Sequence, residues 1–425
     1  MEKPKNSDTF CPIPWIFEAV KSNGDIRVCC HADEHKGKGV VYNSQGRAYN
    51  AGRNELSESR NADKMRRIRR NMLNGIWSDE CGRCKKEEEN KLVSRRSWEN
   101  KTWDFTIEKA REVTQVDGTI DVNETPVTYW DLRFGNFCNL RCRMCGPQDS
   151  SAWYDDWAKL GKEFNADPED FEWANNEHFW TQLEENIPNM EWVYLAGGEP
   201  LLIERHYDFL DKCIAMNCSM YITLEYNTNL TFLPERVTEA WKHFKEVRVG
   251  ASIDGYGKVF EYQRYPAKWP KVYGNLISLD AMPGNIKSWL AFTVTAYNVN
   301  HMPDFMMWKL SKSGFKRINS SNTRPILSYH MAHKPEYLNI RVLPEKYKLE
   351  TTKKFKQFVG WVNEHYTDPH VIKQANNIAD GVCNYMNNES YYDDSWDEFN
   401  DFNSKLDNIR YDEKDSINNI SSFSK

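Results

Sequence analysis

The stretch Asp131–Pro147, DLRFGNFCNLRCRMCGP, decides how the rest of the chain is read. Its three cysteines, Cys138, Cys142 and Cys145, stand at C-x3-C-x2-C spacing behind an apolar, aromatic run of strand character. Three thiolates this close together can hold three irons of a 4Fe-4S cube and leave the fourth iron without a protein ligand. Catalysis needs such an open position, whereas structural metals usually sit in closed four-ligand shells. The same thiols can instead belong to a zinc site completed by a histidine or cysteine from elsewhere. The context of the loop has to decide between the two.

Outward from this loop, residues 126–345 alternate apolar strand-like runs with amphipathic helical ones, the pattern of a parallel α/β architecture. Strands are predicted within VTYWDLRF, EWVYLAGG, MYITLEYN, VRVGASID, SWLAFTVTAY and RINSSNTRPILSYHM. In barrels built this way the reacting groups gather at the C-terminal ends of the strands. The second strand runs into Gly197-Gly198-Glu199-Pro200, where two glycines let the backbone approach a ligand and a carboxylate can accept from an ammonium. The third ends in Asn227-Thr228-Asn229, and the fourth in Ser252-Ile253-Asp254-Gly255, with Arg264 following. Each of these ends also has a plainer reading as turn capping.

In spacing and position the cysteine loop resembles the radical SAM superfamily, whose motif is C-x3-C-x-aromatic-C after the first barrel strand. Met144 stands at the aromatic position, an apolar, polarizable contact for an adenine ring without the aromatic face. Gly197-Gly198-Glu199 resembles the family's motif for the amino group of the SAM methionine, and Asn227-Thr228-Asn229 its Thr-Asn-Gly, with Leu230 in place of glycine. Ser252, Asp254 and Arg264 look like the S-x-D-G and arginine of SPASM-type members. That likeness implies Ser252 and Arg264 at the methionine carboxylate, where a guanidinium fork suits a planar anion. The cofactor-binding candidates are therefore Met144, Gly197, Gly198, Glu199, Thr228, Asn229, Ser252, Asp254 and Arg264. The resemblance implies a partial (β/α)6 TIM-type barrel, an open-site 4Fe-4S cluster on Cys138, Cys142 and Cys145, and S-adenosyl-L-methionine. Four strand ends in register with the family weigh against zinc at the triplet.

A second cysteine group lies upstream. Cys11 precedes two strand-like runs that flank the turn signal Asn23-Gly24 and end in Cys29-Cys30, and a basic helix then leads to Cys81-Gly82-Arg83-Cys84. Four thiolates complete a shell for one cluster or one zinc, and sulfur ligation alone does not choose between them. SPASM and twitch auxiliary domains open with C-x(9 to 15)-G-x4-C, which Cys11, Gly24 and Cys29 fit. The resemblance thus implies Cys29 over Cys30 as ligand, Cys81 and Cys84 as the following pair, and a second, auxiliary 4Fe-4S cluster. Here the module precedes the barrel, whereas such domains usually follow it, and the later cysteines of a full SPASM domain are missing. The expected organisation is an auxiliary domain over 1–95, a connector over 96–125, the barrel over 126–345, a helical segment over 346–386, and a mobile acidic tail over 387–425. A tail that orders over substrate is the sharper alternative.

The 425 residues are 40% hydrophobic and 28% charged, with no apolar run of membrane-spanning length and no apolar core in MEKPKNSDTF, so a cytoplasmic location is expected. Reduced thiols follow, with Cys213, Cys218 and Cys383 read as small buried hydrophobes. The net charge of −6 resides in 387–425, where ten acids face four bases. A neutral body disfavours nucleic acid as partner. The one basic run, Lys64–Arg70, carries Met65, Ile68 and Met72 at helical spacing and reads as a helix with a solvated face.

The resemblance implies an oxidoreductase that cleaves SAM to a 5′-deoxyadenosyl radical and abstracts hydrogen from a substrate. A peptide or protein that is oxidised or crosslinked comes first, and a small alcohol or amino sugar second. A one-electron reductant such as flavodoxin or ferredoxin is the implied partner. Glu225, near the end of the third strand, is a candidate base for a dehydrogenation and otherwise an exposed strand residue. The alternative of another class is a non-catalytic metal-binding scaffold.

Overall fold

The computed structural model describes residues 9–32, 38–89, 93–320 and 324–411. The protein is mixed α/β. Its strands are β1 (Phe17–Val20), β2 (Ile26–Arg27), β3 (Tyr129–Arg133), β4 (Trp192–Ala196), β5 (Thr223–Thr228), β6 (Glu246–Ser252), β7 (Ile286–Val294) and β8 (Ser328–Met331). They lie in one mostly parallel sheet ordered β2-β1-β3-β4-β5-β6-β7-β8. From β3 onward the order follows the chain, as it does when each parallel strand returns through a helical crossover. The six expected strands are β3 to β8, an arrangement consistent with a partial TIM-type barrel. Among the described residues, no helix is long and apolar enough to cross a membrane.

Two compact units divide the chain differently from the expected boundaries at 95 and 125. The first comprises Met1–Phe137, Ala166–Tyr226 and Glu239–Val247. In it the N-terminal hairpin joins the sheet: β1 pairs antiparallel with β2 and parallel with β3, from Phe17 opposite Tyr129 to Val20 opposite Leu132. Every residue of β1 is buried. A strand buried on both faces has to be covered and paired, and β3 supplies the pairing. Gly24 turns the hairpin at φ 81°, with Asn50 and Trp173 packed so close that a Cβ would meet them at 2.8–2.9 Å. The basic run forms the helix Asp63–Leu73, which buries Met65, Ile68 and Met72 as its spacing predicts. It also buries Arg69, whose guanidinium donates to the carbonyls of Gly118, Pro14 and Arg60. The connector holds the helices Arg95–Thr102 and Ile107–Val113.

The second unit comprises Cys138–Asn165, Asn227–Thr238 and Arg248–Lys425. In it β7 and β8 pair in parallel, and three long helices follow, Glu345–His365, Pro369–Asn387 and Tyr392–Arg410. The last of these lies within the expected acidic tail. Phe399, Phe402 and Leu406 recur at helical spacing and are at most 4% exposed, so the apolar stripe outweighs the acidic composition around it. Residues 412–425 of that expectation lie outside the described residues. Cys213 in the first unit is fully buried, whereas Cys218 and Cys383 are half-buried.

Candidate metal centres

Cys138, Cys142 and Cys145 lie in the second unit, on the segment that follows β3 in the chain. Cys142 is buried, and the other two are half-buried. The hydrogen bond between Cys142 and Cys145 holds the Cys142 thiol below its ordinary value; burial opposes this and Arg264 reinforces it. Cys145 shifts the other way, raised by the same bond and by burial. Two side chains from distant elements aim donors at these sulfurs. Arg264 directs Nη1 to Cys142 Sγ at 4.0 Å, and Asn229 directs Nδ2 to Cys138 Sγ at 3.8 Å. Donors around coordinating sulfurs lower their electron density and tune the metal they hold.

Arg264 is set in place by Asp254. The fully buried Asp254 carboxylate takes Arg264 Nε on Oδ2 at 2.7 Å, with Nη2 2.6 Å away, while Oδ1 accepts the Thr293 amide at 2.7 Å. Both Asp254 oxygens are thus engaged, one by Arg264 and one by the Thr293 amide. Ser252, at the end of β6, and Met144 are both half-buried. Thr228 Oγ1 accepts the Leu230 amide at 3.0 Å, and Asn229 Oδ1 accepts the Thr231 amide at 2.9 Å. Asn229 thus caps its turn and reaches a site sulfur at once. Leu230, at the position where the family has glycine, takes φ 54°, the left-handed conformation that glycine adopts without strain.

In the first unit, Gly197 and Gly198 let two segments of backbone touch. A Cβ on Gly197 would lie 2.9 Å from backbone atoms of Arg133, Phe134 and Gly135, and one on Gly198 would lie 2.2 Å from the Phe137 carbonyl. The amides of Gly198 and Glu199 donate to the carbonyls of Gly135 and Phe137 at 3.1 and 2.8 Å. The close approach is to the chain's own segment leading into Cys138. Glu199 is buried and caps the next turn, Oε1 accepting the Leu201 amide at 3.1 Å.

Cys11, Cys29, Cys81 and Cys84 come together in this unit. Burial pushes Cys11 and Cys29 well above the ordinary thiol value and Cys81 up to about 12, and neighbouring thiols of the group raise each of them further. Burial also raises Cys30, which feels Arg95, Asp131, Glu99 and Arg133 and itself raises Cys29. The group's sulfurs meet backbone donors: the His31 amide reaches Cys29 Sγ at 3.3 Å, and the amides of Arg96 and Arg95 serve Cys84. Two buried and two half-buried thiols that resist ionisation alone, with N–H donors at Cys29 and Cys84, fit a metal centre whose positive charge offsets the thiolates. Sequence reasoning missed one corner of it. Among the described residues, His31 Nδ1 and Glu87 Oε2 are buried without hydrogen-bond partners, and His31, Glu87 and Cys84 place ligand atoms within 4.8 Å of one another. Their offsets, two residues after Cys29 and three after Cys84, were the available signal.

A polar row also crosses the sheet in this unit. Asp131 on β3, Tyr194 on β4 and Glu225 on β5 share one register, and Arg133 stands two residues along. Burial drives the Tyr194 hydroxyl up, with Asp131 and Glu225 adding to the shift. Glu225 is half-buried in this row, not an exposed strand residue. Charged residues at alternate positions of the otherwise apolar YWDLR were the signal for Asp131 and Arg133.

No family model and no curated protein matches the sequence. Among solved structures, the chain is similar to native anSMEcpe with bound AdoMet, at 16% identity and a TM-score of 0.36 over 56% of this chain and 61% of that one. It is similar to Streptococcus suis SuiB bound to S-adenosylmethionine, at 14% identity and 0.35 over 67% and 58%. It is also similar to TYW1 with a lysine-pyruvate adduct bound, at 12% identity and 0.29 over 57% and 72%. The chain spans about three fifths of the length of the first two.

Proposed function

We propose that this chain is a radical SAM enzyme acting on a peptide or protein, with an open-site 4Fe-4S cluster held by Cys138, Cys142 and Cys145. When bound, the cluster and SAM supply reductive cleavage of the sulfonium to methionine and a 5′-deoxyadenosyl radical. The observation that carries this reading is the donor arrangement on a three-cysteine loop, Arg264 at Cys142 and Asn229 at Cys138, with Arg264 oriented in advance by Asp254. Residues proposed to receive SAM are Met144 for the adenine, Gly197, Gly198 and Glu199 for the amino group, Thr228 and Asn229 beside it, and Ser252 and Arg264 for the carboxylate. Asp254, whose carboxylate holds Arg264, is proposed at the same site.

An auxiliary 4Fe-4S cluster is proposed at Cys11, Cys29, Cys81 and Cys84, where four thiolates saturate the irons and suit electron transfer better than substrate binding. A flavodoxin or ferredoxin is the proposed reductant. Oxidation or crosslinking of a peptide is favoured over dehydrogenation of a small alcohol or amino sugar, because the auxiliary site gives a removed electron a path. Anaerobic reconstitution, iron and zinc counting, and a 5′-deoxyadenosine assay test this reading together. About eight irons per chain and reductant-dependent 5′-deoxyadenosine are expected. Tightly held zinc with no SAM cleavage would return the chain to the class of metal-binding scaffolds.

A further inference from the structure

We propose that the C-terminal helix Tyr392–Arg410 is a clamp on the cysteine loop, with Arg143, between Cys142 and Cys145, as the positioning residue it grips. The inference rests on the reading of that loop as a cluster site. Arg143 is a charged residue only 1% exposed. Its Nε donates to the Tyr262 carbonyl at 3.1 Å, its Nη1 to Asn403 Oδ1 at 2.8 Å and its Nη2 to the Asp407 carboxylate, while the guanidinium stacks 3.6 Å over the Tyr262 ring. The two acceptors on the helix are themselves held: Tyr297 donates its hydroxyl to Asn403 Oδ1 at 2.6 Å, and Tyr262 donates its own to Asp407 Oδ2 at 3.1 Å.

A second grip lies one turn further along the helix. Arg410 Nε donates to Asp156 Oδ2 at 2.8 Å, and the other oxygen of this buried carboxylate accepts Arg141 Nη1 at 2.6 Å. The Arg410 guanidinium also covers the ring of Trp153, whose Nε1 donates to the Cys142 carbonyl at 3.0 Å. The helix therefore reaches both neighbours of Cys142 and its carbonyl.

The backbone of the loop explains what this accomplishes. The amides of Arg141 and Arg143 donate to the carbonyls of Tyr265 and Gln263 at 2.7 and 2.8 Å, pairing the loop with the segment that carries Arg264. With Arg141 and Arg143 both engaged by the clamp, Cys142 between them is held where Arg264 stands 4.0 Å from its sulfur. An arginine suits position 143 because a planar fork serves two acceptors and stacks on a ring, which an ammonium does not.

Full-length Asp407→Asn and Arg143→Lys test the clamp. In the metal-free protein, hydrogen exchange over residues 138–150 should rise about tenfold or more, with residues 9–32 unchanged, because a local opening has been made cheaper without global unfolding. In the reconstituted protein, the potential of the barrel cluster should shift and 5′-deoxyadenosine formation should fall about tenfold, the scale seen when an outer-sphere partner is lost. Asp407→Glu should recover most of both. Tyr297→Phe, which removes one bond to Asn403 and leaves the charges in place, should move the same readouts in the same direction by less, and it serves if the stronger variants fail to fold. Wild-type exchange and potential in Asp407→Asn or, failing that, in Tyr297→Phe would overturn the clamp. Wild-type protein without iron at the barrel cysteines would instead defeat the cluster reading of the loop, while the exchange experiment on metal-free protein would still judge the clamp.

Discussion

The two thiol groups of this protein are built by opposite means. Cys11, Cys29, Cys81 and Cys84 gather in one unit, with backbone amides at Cys29 and Cys84, and burial raises all four thiols. Cys138, Cys142 and Cys145 sit in the other unit among side-chain donors, and Cys142 is held below its ordinary value. Backbone donors accompany a complete shell of four sulfurs. Around the group of three, the side chains of Asn229 and Arg264 join the Leu140 amide as donors. The difference teaches that two thiol groups of one chain can differ in whether distant side chains aim at their sulfurs.

That contrast can be broken most directly at Cys142. In Cys142→Ala, 5′-deoxyadenosine formation should drop at least about a thousandfold, with about four irons per chain remaining in the N-terminal group. Retention of wild-type turnover would erase the distinction between the two groups. The next largest effect separates adjacent thiols. Cys29→Ala should lose about four irons while keeping SAM cleavage, whereas Cys30→Ala should keep its iron, since Cys81 and Cys84 act on Cys29 while Arg95, Asp131, Glu99 and Arg133 act on Cys30. Equal iron loss in both would mean that the ligand is misassigned.

Smaller effects sharpen the picture of the barrel site. Asp254→Asn leaves the Arg264 guanidinium buried with its partner charge removed, and urea unfolding should report a loss of about 3–5 kcal/mol together with weaker SAM binding. A change in stability with SAM binding untouched would limit Arg264 to a structural role. The smallest effect is expected at Leu230. Leu230→Gly relieves a left-handed backbone worth about 1–2 kcal/mol, yet it deletes a fully buried side chain worth about 2–5 kcal/mol. Burial wins, so the urea midpoint should fall, and a rise would show that strain dominates at this turn.

Much of the barrel was legible because it is written locally. The strand runs alternate with amphipathic helices, and the polar residues at Gly197–Glu199, Asn227–Asn229 and Ser252–Asp254 mark where strands end. The same local logic was available for the C-terminal helix, since Phe399, Phe402 and Leu406 repeat at helical spacing, but acidic composition obscured it. His31 and Glu87 were invisible for another reason: a lone histidine and a surface-type glutamate acquire meaning only when folding leaves their atoms buried, unbonded and next to a thiol.

By itself the sequence determined the cysteine spacings, the βα alternation and the residue types at the strand ends, all of which depend on neighbours a few positions apart. Tertiary structure alone decided that β1 pairs with β3, that Asp254 holds Arg264, that the double glycine admits backbone, and that Asp407 and Arg410 reach the cysteine loop. The physical reason is that periodicity reports which residues must be buried, whereas the partner that satisfies a buried charge is chosen by the packing of separate elements, for Arg143 and Asp407 264 positions apart.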